Sequence, residues 1–188
     1  GGRTGAGPQA MACDEAVKSS NTQVLRFEMP RDTKGGGGHG SLAIFGAEEV
    51  SDVRRAVEIA LNALDTTYFG DIYMNEAGHI EAQYTARASH VLADNFGAHL
   101  GKAWGLLVGC PAAIGMVVAD TAVKSADIEV VMQCSPAQGT SFSNEFMIMF
   151  VGDSGAVKQA TITGRDIGIQ LLSTLGSKPQ SGGTPYII

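Results

Sequence analysis

Residues 16–24 read "AVKSSNTQV" and residues 122–130 read "AVKSADIEV". Lys18 and Lys124 stand 106 positions apart, and at the same offset Pro30 falls on Pro136 and Gly46 on Gly152. Two residues are then gained in the first copy, so that Val53, Arg54 and Ala56 fall on Val157, Lys158 and Ala160. An offset sustained over so long a stretch marks an internal repeat. A chain of 188 residues could form one domain or two; the repeat predicts two.

The second copy is the easier to read outward from its lysine. "AWGLLVG" (103–109) is a short apolar run bounded by glycine, which predicts a buried strand. After Pro111, "AAIGMVVADTAVKSA" has the small and aliphatic content of a closely packed helix. "IEVVMQC" alternates as a strand, and "EFMIMFVG" is continuous enough for a central strand. Ser154 is then placed as an N-cap, with Val157, Ala160, Gly164, Ile167, Leu171 and Leu175 recurring at helical spacing. The first copy repeats the later part of this order: helix to Ser20, strands 22–29 and 41–45, and a helix over 51–64 striped by Val53, Val57, Ala60, Leu61 and Leu64. Between the copies the sequence predicts a hairpin turning at "NEAG" and a helix from Thr85 to Leu100. In "HIEAQY" one strand face is polar, carrying His79, Glu81 and Gln83. Gly1 falls on Leu107, so the first unit is entered after its opening strand; the repeat predicts on the order of forty further residues upstream. The Gly-, Ser- and Pro-rich tail "GSKPQSGGTPYII" is expected to be poorly ordered.

Composition narrows the function classes. The chain is 44% hydrophobic and 17% charged, with a net charge of −6, and its pI is near 5.1. That balance argues against nucleic acid or anionic lipid as a partner, since both need clustered Lys and Arg. The longest apolar runs are strand-length, far short of the roughly 18 residues of a membrane span. Cys13, Cys110 and Cys134 are an odd count without CxxC spacing, which points to a reducing cytosol.

Candidate chemistry is sparse. "GDSGA" (152–156) has the look of a serine nucleophile segment, but a serine just before a helix reads as its cap. "GGRTGAGP" and "GGGGHGS" lack the Lys-Ser/Thr of a phosphate-binding loop and read as turning loops. The histidines at 39, 79, 90 and 99 lack metal-ligand spacing, and no cofactor motif is present. Glu76, His79 and Glu81 cluster on the predicted hairpin, either as a site for a small polar ligand or as a solvated strand face.

"AVKSSN" and "AVKSAD" after a small-residue helix, then strand, loop, apolar strand and "GDSGAVKQA", resemble the signature of bacterial microcompartment (BMC) shell proteins. Two copies, with a hairpin and helix placed before the "GLLVG" strand, are similar to the circularly permuted tandem subclass; "NEAGHIEAQYTARASHVL" and "SPAQGTSFSNE" are closer still to its propanediol-utilisation members. The resemblance covers essentially the whole chain. It implies an α/β fold of two tandem permuted BMC domains related to the ferredoxin-like fold: residues 1–65, truncated at the N-terminus, and 66–176, with a tail at 177–188. It implies a structural protein rather than an enzyme, forming homotrimers that act as six-sided tiles. These tiles would pack with other shell proteins around encapsulated enzymes of 1,2-propanediol or glycerol degradation, within the cytoplasm.

The family's central pore loops map onto Gly35, Gly36, Gly37, Gly38 and His39 in the first copy and onto Gly139, Thr140, Ser141 and Phe142 in the second. A channel for a small diol or triol within each subunit is expected at Thr4, Gly5, Gly7, Glu76, His79 and Glu81. Tile-edge contacts fall on Lys18 and Lys124. No metal and no cofactor is implied. The competing readings are a duplicated α/β enzyme using Glu76 and His79 as acid and base, and a ligand-sensing module for a small polyol.

Overall fold

A computed structural model of the chain describes residues 6–28, 41–136 and 144–188. In chain order the elements are α1 (Ala6–Lys18), β1 (Gln23–Glu28), β2 (Leu42–Gly46), α2 (Val50–Ala63), β3 (Ile72–Asn75), β4 (Gly78–Thr85) and α3 (His90–Phe96), then β5 (Ala103–Cys110), α4 (Ala112–Ser125), β6 (Ile128–Cys134), β7 (Phe146–Gly152), α5 (Ser154–Leu172) and β8 (Gln180–Ser181). A π-helical turn, Leu64–Tyr68, continues α2.

The strands form two antiparallel sheets. β1 and β2 pair alone, while the larger sheet has the order β6-β7-β5-β4-β3-β8. The repeat is visible in the ladders as well as in the letters. The register of β1 on β2 shifts between Val24 and Arg26, and that of β6 on β7 shifts between Val130 and Met132, the same positions one repeat later.

The large sheet is covered on both faces. β5 is an unbroken apolar run because alternate residues enter different cores. Trp104, Leu106 and Val108 join Met11, Ala12 and Ala16 of α1 and Leu92 and Phe96 of α3. Ala103 and Leu107 join Ile114, Val118 and Ala122 of α4 and Val157, Ala160 and Leu172 of α5. Helix α1 of the first copy therefore lies on the sheet of the second. Phe27 of β1 stands edge-on to Phe96, with centroids 5.5 Å apart, closing the same seam.

Several expectations are corrected by packing. The buried stripe of α2 is Ala56, Ala60 and Ala63, whereas Val57 and Leu61 are exposed; alanines let α2 approach the small residues of α1. Helix α3 is less than half the expected length, because it starts only after Ser89 and stops at Gly97. Ser89 then caps the helix by accepting from the Val91 amide, and Gly97 ends it in the left-handed region at φ 70°. The N-cap of α5 is Asp153, not Ser154; the Ser154 hydroxyl instead lies 2.7 Å from that of Tyr84. Leu175, placed on the α5 stripe, is exposed. The C-terminal segment is docked, with β8 paired to β3 and Ile187 only 1% exposed.

Candidate functional site

Strand β4 alternates as expected, but its polar face is not solvated. Ile80 and Ala82 enter the core under α4 and α5. Glu81 and Gln83 point the other way, under α1, and are 3% and 0% exposed. Gln83 is satisfied there: its amide donates to the Tyr68 carbonyl at 3.0 Å, and its carbonyl accepts from the Tyr186 hydroxyl at 2.9 Å. Glu81 is less well provided for. The Gly7 amide and the Gln83 side chain favour its charged form, yet Oε1 has no hydrogen-bond partner among the described residues.

Gly7 sits against this carboxylate in the first turn of α1. A Cβ there would lie 1.9 Å from Glu81 Oε1 and 2.6 Å from Leu106 Cδ2, so no other residue fits without moving one of them. A helix N-terminus carries partial positive charge, which suits an anion at that place. Burial nevertheless dominates and pushes the Glu81 carboxyl up to about 7, with Glu145 acting in the same direction and His79 against it.

His79, two residues before Glu81 on the same face, faces Cys110 across β5 and Met74 across β3. Its Nε2 lies 3.1 Å from Oε1 of Glu145, the residue just before β7. Burial pulls the imidazole down, but the hydrogen bond and charge of Glu145, helped by Glu81, outweigh it and raise the pKa overall. The result is a mostly buried imidazole flanked by two carboxylates, able to donate to and accept from hydroxyl groups. Among the described residues no cluster of His, Cys, Asp and Glu could hold a metal ion.

Of the expected channel residues, the structure brings together Gly7, His79 and Glu81. Glu76 is elsewhere, at the exposed turn of the hairpin, where its two oxygens accept from the Ser177 amide and hydroxyl, each at 2.7 Å. The Ser177 side-chain bond, seconded by backbone amides, lowers its pKa. Thr4, Gly5 and the pore-loop positions Gly35, Gly36, Gly37, Gly38, His39, Gly139, Thr140, Ser141 and Phe142 lie outside the described residues.

The two lysines occupy different settings. Lys18 pairs with Asp14 and donates to the Thr85 hydroxyl at the end of β4 at 3.0 Å. Asp14 is 1% exposed, and its second oxygen accepts from the Ser89 amide at 2.8 Å. Lys124 pairs with Asp120 at 2.8 Å with both side chains largely in solvent.

Sequence reasoning missed Glu145 and Asp14. Glu145 is 66 positions from His79, and no spacing connects them. Asp14 had a signal, since acid and lysine stand four apart in both copies.

Comparison with known proteins follows the same outline. The BMC domain model matches residues 4–75 and 103–178, leaving the end of the hairpin, with His79, Glu81 and Gln83, between the two matches. The chain is 60% identical over 187 residues to the bacterial microcompartment shell protein PduB of Citrobacter freundii, covering all of this chain and 69% of that protein. It is 50% identical over 185 residues to PduB of Limosilactobacillus reuteri, covering 98% and 77% respectively. Among solved structures, a trimeric microcompartment shell protein PduB superposes with a TM-score of 0.90 at 49% identity, over 98% of this chain and 81% of that one. EtuB from Clostridium kluyveri gives 0.89 at 49% identity, over 97% and 80%. The chain belongs to the bacterial microcompartment shell proteins, as a PduB-type member with two tandem BMC domains.

Proposed function

We propose that the chain assembles as a homotrimer, three copies of two units making one six-sided tile in the wall of a cytoplasmic propanediol- or glycerol-utilising microcompartment. The observation that carries this is the match to PduB over all of this chain, together with the fit to a trimeric PduB structure. The outer face of α4 supports it: Met116 is 60% exposed, Val117 44% and Val123 45%, an apolar surface suited to a neighbour. Its counterpart on α1 is covered within the chain by the second unit.

The units divide at 65/66, with the tail from 177; pairing of β3 and β4 onto β5 supports giving the hairpin to the second unit. The wall's role is structural, and its passages serve small polar molecules. The central pore is formed by the loops 31–40 and 137–144. A second passage runs beside Gly7, His79 and Glu81, where a diol or triol such as 1,2-propanediol or glycerol accepts from the partly exposed His79; the Glu81 oxygen is reached only once Gly7 moves off it. So small a ligand is held weakly, at roughly millimolar affinity or about −4 kcal/mol, which lets it leave again. Lys124, exposed, and to a lesser degree Lys18 contact the neighbouring tile. Other shell proteins and encapsulated enzymes are the further partners.

Light scattering of the purified chain is expected to give a trimer, and electron microscopy at high concentration a flat hexagonal lattice. Lys124→Ala should leave the trimer and thin out the lattice. A stable monomer, or turnover of a polyol with no lattice at any concentration, would overturn the reading.

A further inference from the structure

The last residues lie on the protein as a bound peptide lies in a groove. β8 adds to the edge of β3, Tyr73 opposite Ser181 and Met74 opposite Gln180. The Gly182 amide donates to the Ile72 carbonyl at 2.8 Å. Beyond this the backbone is held by a charged clamp. The Tyr186 and Ile187 amides donate to one oxygen of Asp71 at 2.8 and 3.0 Å. Arg165 donates to the other oxygen at 2.9 Å and to the Ile187 carbonyl at 2.6 Å. Asp71 is 0% exposed, so these partners supply the hydrogen bonds that its burial demands.

Two side chains supply the rest. The Tyr186 ring stands edge-on to Tyr68, with centroids 5.3 Å apart. Its hydroxyl donates to Gln83 and accepts from the Tyr84 amide at 3.0 Å. Ile187 enters the cluster of Ile80, Ala82 and Leu172. Backbone approaches backbone closely, since a Cβ on Gly70 would come within 1.8 Å of the Thr184 carbonyl oxygen. Main-chain pairing at a sheet edge plus pockets for individual side chains is how extended peptides are recognised. The BMC match ends at residue 178, before this segment begins.

We propose that Asp71, Arg165, Tyr68 and Gln83 form a peptide-binding groove, occupied here by the chain's own C-terminal segment. The groove accepts in trans an extended peptide carrying an aromatic hydroxyl followed by an aliphatic residue. The tethered tail competes at an effective concentration on the order of millimolar, so a free peptide binds measurably only once the tail is removed or weakened.

The test uses the chain shortened after Gly182 and a labelled synthetic peptide of residues 183–188. Binding by fluorescence anisotropy is expected. Tyr186→Ala in the peptide should weaken it by at least about tenfold, the buried ring and its hydroxyl being the anchor, and Asp71→Asn in the chain should weaken it comparably. A shortened chain that folds by circular dichroism yet leaves the peptide free, or binds the alanine peptide equally well, overturns the proposal. If the shortened chain does not fold, the full-length Tyr186→Ala variant is titrated with the wild-type peptide. A rise in its melting temperature supports a groove with an exchangeable occupant. No rise means the tail is a fixed part of the core, and the proposal fails.

Discussion

Helix α1 and helix α4 are the same element written twice, and the fold uses them differently. Asp14 and Asp120 are repeat equivalents, each four residues before the lysine it pairs with. Asp14 is sealed beneath its helix and ties α1 to the Ser89 amide at the cap of α3. Asp120 is in solvent. Met11 is 2% exposed, while its equivalent Val117 is 44% exposed. The difference teaches that the repeated signature encodes a helix with one face made for a neighbouring unit. Whether that face is buried depends on which neighbour the chain itself provides.

The largest expected effect tests that contrast directly. Asp14→Ala should cost about 3–5 kcal/mol, since it leaves the Ser89 amide and the half-buried Lys18 without their partner. Asp120→Ala should stay within about 0.5 kcal/mol. Urea unfolding of dilute protein measures both. Equal losses would break the comparison and mean that a neighbouring copy covers the outer face of α4 even in dilute solution.

The seam under α1 also carries a pH dependence. Burial pushes the Glu81 carboxyl up to about 7 in the folded protein, from an ordinary carboxylate value of 4.5. Between these values the folded state holds the proton that the unfolded chain has released, so stability falls as pH rises through that window. The fall is roughly 3 kcal/mol at most. His79 acts in the same sense: its raised pKa contributes stability below 6.5 that is lost as pH climbs through the folded value. Glu81→Gln should flatten the profile of unfolding free energy between pH 4.5 and 7. A wild-type profile already flat there would mean that the carboxylate is hydrated in solution.

Gly7 and its repeat equivalent Ala113 sharpen the contrast at one position. Gly7→Ala should cost about 1–3 kcal/mol by forcing Cβ onto Glu81 and Leu106. Ala113 is exposed in the first turn of α4, so Ala113→Gly should cost at most about 0.5 kcal/mol, less than the penalty for glycine in a helix interior. Thermal unfolding of the pair decides it; a neutral Gly7→Ala would show that α1 does not sit closely on β4.

The smallest expected effect is at Lys124, the exposed member of the lysine pair. Lys18→Ala should lose about 1–3 kcal/mol, because the sealed Asp14 carboxylate keeps the Ser89 amide but loses its cation, whereas Lys124→Ala should have almost no effect on stability. Comparable losses would remove the distinction between an internal and an external copy.

Much of this organisation was legible in the letters. A constant offset survives any packing, so the duplication, the strand and helix order and the family resemblance needed no coordinates. Strand alternation correctly separated Ile80 and Ala82 from His79, Glu81 and Gln83. Local pattern could not say what lies over each face. The polar row of β4 is read as wet or dry only once α1, some seventy residues earlier in sequence, is known to cover it. Likewise "SGGTPYII" has the composition of a loose end, and its order comes from Asp71 and Arg165, which are 94 residues apart. Spacing within an element is a local property set by backbone geometry, and the sequence alone determined it. Burial of Glu81, the different fates of Asp14 and Asp120 and the docking of the tail depend on contacts between distant segments, and those only the tertiary structure decided.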